Sequence, residues 1–396
     1  MEGLKAEKER KISLYVHLPF CAKKCAYCDF TSYAGREAAI PRYLTLLLGE
    51  WEAIQNGLFR EREVSVATGY VGGGTPSLLE EDQVGGLMRR LFPDGPDPDM
   101  ELTIEANPES LTVSKLACYR EVGINRLSMG IQSFSNEMLR RLGRIHSARR
   151  SIEVLEMIAE SGWENFNVDL MYGLPGQSPS DFADDIDQAL RFTPPHLSAY
   201  CLTLHPGTPL GRSWARGMLA LPTEDDILRM MDILEDKMGA AGYDHYEVSN
   251  FARRGYACRH NLAYWTLSPY IGLGVGAVSY VTEAKAPWGC HWENPRSLEA
   301  YARHARRGTW AFTQRTPLSK REALMESLLA GMRLSAGIPM DTLAKRFGRA
   351  VVTALGSQAE PLVANGWLSF QGGTLKATHR GSALLDTLIL ELIPDF

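Results

Sequence analysis

No apolar stretch in this chain is long enough to span a bilayer. The longest, Tyr270 to Val281, runs for 12 residues and holds three glycines, against the roughly 20 residues of a spanning helix. The start, MEGLKAEKERK, is charged and lacks the apolar segment of a secretory signal, so the expected location is cytoplasmic. Positive charge is not in excess either. With 42 Lys+Arg against 47 Asp+Glu the net charge is −5, and no overall field draws the chain to a phosphate backbone; nucleic acid is not an expected partner. At 45% hydrophobic and 22% charged the chain is globular in composition and leaves no room for long disorder. Its 396 residues suffice for two or three domains. Cysteine is scarce and odd in number. Of seven, Cys21, Cys25 and Cys28 crowd into eight positions while Cys118, Cys201, Cys258 and Cys290 are scattered, which in a reducing compartment points to metal rather than disulfides.

From residue 11 to about 250, short β-rich runs alternate with longer amphipathic stretches, the pattern of repeated βα units around a parallel sheet. Strands are expected at Ile12–His17, Val66–Val71, Glu101–Ala106, Arg126–Ile131, Phe166–Met171 and Leu197–Leu202. Helical spacing marks Tyr43–Ile54, Leu111–Val122, Ser147–Ser161, Pro179–Phe192 and Thr223–Ala240. Chemistry in such folds collects at the C-terminal strand ends. There stand the cysteine triplet, Gly72-Gly73-Gly74-Thr75, Glu105 with Asn107, Gln132 and Asp169, in that strand order. Any one of these reads as a turn or an N-cap; five in register make a rim. The pattern then breaks into loop-like sequence, Asn250 to Trp265, and a glycine-rich Tyr270–Tyr280. A smaller unit begins near Leu318, with helices in SKREALMESLLAGMRL and MDTLAKRFG, a Gly-Gly hairpin in NGWLSFQGGTLKATHRG and a last helix. That order resembles a winged helix; sparse, interspersed basic residues favour a packing appendage over a nucleic-acid reader. The expected division is 1–250, a connecting segment 251–317, and 318–396.

Cys21-Ala22-Lys23-Lys24-Cys25-Ala26-Tyr27-Cys28 can place three thiolates on three irons of a cluster and leave a fourth iron open. A structural zinc site wants a fourth nearby ligand, and the local candidates, His17 and Asp29, complete no familiar zinc spacing.

The stretch HLPFCAKKCAYCDF resembles the CxxxCxxC loop of radical S-adenosylmethionine (SAM) proteins. The resemblance implies an open six-unit (β/α) barrel of the α/β class, a [4Fe-4S] cluster on Cys21, Cys25 and Cys28, and SAM chelated by the open iron and cleaved to a 5′-deoxyadenosyl radical. GYVGGGTPSLL, LTIEANPES, GINRLSMGIQSF, LGRIH, NVDLMYGLPGQS and LHPGTPL narrow it to the oxygen-independent coproporphyrinogen III oxidase-like branch. Carried over by motif position, Tyr15, Gly73, Gly74, Thr75, Glu105, Gln132, Arg144 and Asp169 would hold SAM. Glycines permit close backbone approach, the carboxylates accept from an ammonium and from ribose hydroxyls, and Gln132 and Arg144 donate to oxygens.

Two activities divide that branch: the oxidase decarboxylates two propionates of coproporphyrinogen III, and the HemW-type haem chaperones bind haem and pass it to client haemoproteins. Three departures from the oxidase pattern favour the second. Phe30 stands where the oxidase has a further cysteine, only 20 residues precede Cys21, and Arg259-His260-Asn261-Leu262-Ala263-Tyr264-Trp265 matches the chaperones' HNxxYW motif. An imidazole can ligate haem iron while aromatics pack on the porphyrin, so His260 is the expected axial ligand, with Asn261, Tyr264 and Trp265 beside it and Cys258 as the competing ligand. A hydrogen-bonded histidine in a loop anchored by buried aromatics is the plain alternative. The oxidase and other radical SAM reactions stay open, and a membrane-bound respiratory enzyme is a candidate client.

Overall fold

The computed structural model describes residues 9–60, 63–382 and 384–393; the charged start read for a signal, residues 1–8, lies outside them. Six strands alternate with helices along the first part of the chain: β1 (Glu9–Leu18), β2 (Glu63–Gly73), β3 (Glu101–Ala106), β4 (Arg126–Gln132), β5 (Phe166–Tyr172) and β6 (His196–Cys201). They pair side by side, all parallel, in chain order, and each overlaps the run expected from sequence. The helices of this part are α1 (Ile40–Gly57), α2 (Glu81–Leu91), α3 (Val113–Glu121), α4 (Asn136–Leu142), α5 (Ala148–Glu160), α6 (Pro179–Leu190) and α7 (Pro209–Ala215), followed by α8 (Glu224–Ala240). Local chemistry starts several of them. Ser178 and Thr223 each open a helix with a reciprocal capping box, satisfying amides that no helical carbonyl reaches. Helix α2 is absent from the sequence expectation because Gly85-Gly86 interrupts its pattern; burial of Val84, Leu87, Met88 and Leu91 outweighs the glycine cost.

The sheet continues beyond these units. Next come β7 (Asp244–Glu247), β8 (Asn250–Ala252), α9 (Arg259–Trp265), β9 (Tyr270–Leu273), β10 (Val278–Glu283), β11 (Ala286–Glu293), α10 (Leu298–Arg307) and β12 (Thr316–Pro317). The twelve-stranded order is β12-β11-β10-β9-β1-β2-β3-β4-β5-β6-β8-β7, so the barrel is open. Two expectations change here. The loop-like stretch from Asn250 to Trp265 contains a strand and a helix, and the connecting segment adds β9 parallel to β1 and β10 and β11 antiparallel beyond it. Its glycines imitate a loop, yet Gly272 is demanded by the sheet itself: a Cβ there would overlap the Val278 carbonyl oxygen.

A buried carboxylate ties this extension to the barrel. Glu50 on α1 is 1% exposed and accepts from Gly274 N at 2.9 Å, Asn294 Nδ2 at 2.6 Å and Tyr301 Oη at 2.5 Å. Beside it the Tyr43 hydroxyl donates to the His17 carbonyl at 2.7 Å and accepts from Val275 N at 3.0 Å. Burial pushes the Glu50 carboxyl up to about 7 against its three donors.

The C-terminal unit has its own core, built by α11 (Lys320–Gly331), β13 (Ile338–Pro339), α12 (Met340–Phe347), α13 (Arg349–Ala364), β14 (Leu368–Gln371), β15 (Thr374–Ala377) and α14 (Leu385–Leu392). Helix, strand, two helices and a two-stranded wing is the winged-helix order. Helix α13 is hidden in the sequence because Gly356 and Pro361 lie inside it. The unit packs on the sheet extension: Trp288 stacks on Phe347 at 5.6 Å, and Arg346 donates to Tyr280 Oη at 2.9 Å and to the Trp288 carbonyl at 3.0 Å. Removing one donor from the Glu50 clamp, Tyr301→Phe, is expected to cost about 1–3 kcal/mol, read as a lowered Tm in thermal unfolding.

Candidate functional site

Side chains alternate across a strand, so every second residue of β1 to β6 faces the barrel interior. The C-terminal ends of these strands and the loops above them enclose a cavity of about 440 Å³. Its wall includes Cys21, Cys25 and Cys28 together with Gly73, Gly74, Thr75, Glu105, Asn107, Gln132, Arg144 and Asp169. The cysteine loop is suspended between two helices: Ala26 N donates to the Leu142 carbonyl at the end of α4, and the Ala26 carbonyl accepts from Leu210 N at the start of α7, both at 2.9 Å. Its far limb is fixed by His17, whose Nε2 lies 2.8 Å from the Thr31 carbonyl oxygen.

None of the seven cysteines is in a disulfide. Among the described residues no three His, Cys, Asp or Glu side chains converge on a single metal ion. Three thiols on one cavity wall suit a multi-iron group with one sulfur per iron. Burial pushes the Cys21 and Cys28 thiols up, a cost that bound iron would reverse by holding them as thiolates. The donor set also offers support to the sulfur: Arg144 Nη1 reaches Cys25 Sγ at 3.4 Å, while Nη2 donates to Asn107 Oδ1 and to the Gly130 carbonyl, each at 2.7 Å.

Glu105 accepts from Tyr70 Oη at 3.0 Å and from Gly73 N at 2.9 Å. Burial, with the Asp169 charge adding to it, pushes its carboxyl up to about 7. Asp169 accepts from Asn167 Nδ2 at 2.7 Å and Ser128 Oγ at 3.3 Å, and burial raises it as well. Two half-buried carboxylates on one wall, held by neutral donors, make a place for a cation. Gln132 sits at the end of β4 with φ +67°, a left-handed backbone that costs a non-glycine residue energy and holds it at the cavity wall. The glycine strip has a second reason to be glycine. Gly73 has φ +110°, and a Cβ there would overlap the His17 ring; at Gly74 it would stand 2.5 Å from the Phe20 carbonyl oxygen.

Tyr15 is not on the cavity wall. Its hydroxyl lies 2.9 Å from His17 Nδ1 and its ring 6.2 Å from that of Tyr70, so it supports the cysteine loop through His17. With both ring nitrogens engaged, His17 is also unavailable as a cluster ligand. Asn107, noted at its strand end, proves a hub: besides Arg144 it holds Thr75 Oγ1 at 3.1 Å. Asp29 pairs with His205 at 3.3 Å, a contact between distant loops that no local spacing could reveal.

The expected haem motif forms the opposite end of the barrel. Helix α9 plugs the interior near the strand starts, where Glu101 accepts from Arg259 N at 3.1 Å and His260 N at 3.0 Å, meeting the free amides of the first turn. His260 is 1% exposed. Thr68 Oγ1 donates to Ser13 Oγ, so it accepts from His260 Nδ1 at 2.8 Å, which leaves Nε2 to accept from Tyr264 Oη at 3.2 Å. Burial, aided by the nearby Arg126 charge, lowers its pKa to about 3. The imidazole is neutral, and the lone pair that would bind iron is taken. Cys258 is no better placed: it is fully buried, its Sγ lies 3.5 Å from Glu101 Oε1, and burial pushes its thiol up to about 12. Asn261, Tyr264 and Trp265 are half-buried around this plug; Tyr264 packs edge-on against His260 and Tyr270, and Arg333 lies over Trp265. The motif therefore anchors α9 and offers no ligand to an open space.

The open parallel barrel and its three-cysteine rim are those of a radical SAM protein, and the radical SAM superfamily matches residues 15–189, with the HemN C-terminal domain matching residues 318–384. The heme chaperone HemW of Bacillus subtilis is 33% identical over 376 residues, 94% of this chain and 96% of that protein. The HemW of Mycobacterium tuberculosis is 34% identical over 99% of this chain and 97% of its own, and that of Escherichia coli is 40% identical over 68% and 70%. The solved coproporphyrinogen III oxidase HemN of Escherichia coli shares the fold, with a TM-score of 0.82 at 22% identity over 98% of this chain and 91% of that one. The chain belongs to the HemW family of the radical SAM superfamily.

His260→Ala is expected to lower stability by about 2 kcal/mol or more, because Thr68 and Tyr264 lose buried partners, with Tm as the readout. At Cys21, Cys25 and Cys28, replacement of any one by Ala should prevent full iron and sulfide loading, measured by chemical assay after reconstitution.

Proposed function

We propose that this chain is a cytoplasmic haem chaperone that carries a [4Fe-4S] cluster and SAM and passes haem to a client haemoprotein. The observation that supports this most is likeness to HemW heme chaperones along nearly the whole of both chains. Seven cysteines without a disulfide suit a reducing compartment. The client we propose is a membrane-bound respiratory enzyme, reached through that partner, since no helix among the described residues is long and apolar enough to cross a membrane.

Bound to Cys21, Cys25 and Cys28, the cluster would supply single-electron chemistry to SAM at its open iron. The chain's part is orientation. Arg144 donates toward Cys25 and keeps positive charge beside the thiolates; Glu105 and Asp169 accept from the cationic and hydroxyl groups of SAM; Gln132, Thr75 and the Gly73-Gly74 backbone complete its cradle. Tyr15 enters this scheme only as a support for the loop.

Phe30 separates the chaperone from the oxidase reading. It stands where an oxidase has a further cysteine, and it is 63% exposed beside the cavity. Reconstituted, reduced protein with SAM bound is therefore expected to leave coproporphyrinogen III undecarboxylated under anaerobic conditions while binding haem; loss of two carboxyl groups per porphyrinogen, read by mass spectrometry, reverses the assignment.

Affinity for SAM should rise about tenfold from pH 6 to 8, since a carboxyl near 7 must lose its proton to meet a cation. Glu105→Gln should flatten that dependence in a binding titration. Ligand-free stability runs the other way. The folded pKa lies above the ordinary 4.5, so the contribution of Glu105 is full below about 4.5 and is lost as pH rises through about 7.

A further inference from the structure

The burial of His260 leaves a haem chaperone without its expected iron ligand, and the cavity rim supplies another. His205 lies in the loop between β6 and α7, on the cavity wall, with 45% of its side chain exposed. Its Nε2 is 3.3 Å from Asp29 Oδ2, and Nδ1 has no hydrogen-bond partner among the described residues. A histidine that binds a metal commonly gives its other ring N–H to a carboxylate, which fixes the ring and strengthens the donor nitrogen. His205 has a carboxylate within ion-pair distance of one ring nitrogen, a partner that a small turn of the ring would bring into such an arrangement, and Asp29 directly follows Cys28 in the chain.

The surroundings match the rest of a haem. Phe30, Ile145 and Tyr200 are 63%, 49% and 41% exposed and all line the same cavity. Apolar side chains left open around a cavity mark a surface for an apolar ligand. Lys23 and Lys24 share that wall; Lys24 Nζ also donates to the Phe30 carbonyl at 3.0 Å, which keeps one ammonium beside the aromatic residue. A flat macrocycle with two carboxylates at one edge and a Lewis-acidic iron at its centre is complementary to all three features.

We propose that His205 Nδ1 is the axial ligand of haem bound at the cavity mouth, oriented by Asp29, with Phe30 against the macrocycle and Lys23 and Lys24 toward the propionates. The coordination bond forms from the Nδ1 lone pair to iron; nothing is oxidised or reduced. The proposal rests on the haem-chaperone reading and places the cargo over the cluster loop, so cluster and cargo are not independent sites. A haem held there caps the SAM cavity.

The test is a haem titration of the full-length, cluster-loaded protein under anaerobic conditions, followed by absorption and resonance Raman spectroscopy, with iron and sulfide content measured on every variant. Wild type is expected to show a histidine-ligated spectrum. His205→Ala should lose that signature and bind at least about tenfold more weakly, and added imidazole should restore the spectrum. His205→Gln keeps a donor toward Asp29 without a ligating imidazole, and should lose the signature with the cluster intact. Asp29→Asn should shift the ferrous iron–histidine stretch and weaken binding by about tenfold. An unchanged spectrum and affinity in both His205 variants overturns the assignment of the ligand while leaving the chaperone reading in place. Failure of wild type to bind haem at all overturns the chaperone reading itself.

Discussion

Two half-buried carboxylates that have no ion-pair partner among the described residues govern the design of this protein. Glu105 on β3 and Asp169 on β5 face one cavity, each raised by burial and, among the described residues, each hydrogen-bonded to neutral donors. Burying such groups costs stability, and a cationic ligand recovers it. The same wall carries the three thiols of the cysteine loop. Stability and binding are thus opposed in the ligand-free state, which is the mark of a site rather than of a core.

The two ends of the barrel use similar residue types for opposite purposes. At the C-terminal rim the acidic groups remain open to a cavity. At the other end Glu101 is capped by the amides of α9, His260 is satisfied at both nitrogens, and the interior is closed. A histidine beside aromatics looks the same in sequence in either setting. What separates them is the hydrogen-bond inventory: both ring nitrogens of His260 are engaged, whereas Nδ1 of His205 has no hydrogen-bond partner among the described residues. The HNxxYW motif therefore reads best as the anchor that holds α9 in the barrel floor.

The extension made by β9, β10 and β11 is a further link between fold and site. Glu50 secures it through Gly274, Asn294 and Tyr301, and the adjoining Tyr43 reaches back to the His17 carbonyl. His17 in turn holds Thr31 in the cysteine loop and meets Tyr15. Packing of the sheet edge and placement of the cysteine loop are consequently one connected structure. The C-terminal unit leans on the same extension, with Arg346 committed to Tyr280 and Trp288.

The sequence by itself determined the parallel core and the rim. β-Rich runs at regular intervals place six strands, and alternation along them puts Glu105, Gln132 and Asp169 at inward-facing ends, because both rules act over a few residues. The cysteine spacing announces the cluster loop for the same local reason. Tertiary structure decided what local pattern cannot carry. Gly272 looks like part of a loop until the neighbouring strand, with the Val278 carbonyl, is seen to need the space. Tyr15 sits at a motif position yet stands behind His17, and His260, read as an open ligand, is hydrogen-bonded at both ring nitrogens. Each of these depends on contacts between residues far apart in the chain, Thr68 with His260 and Asp29 with His205, and only folding brings those partners within hydrogen-bond reach.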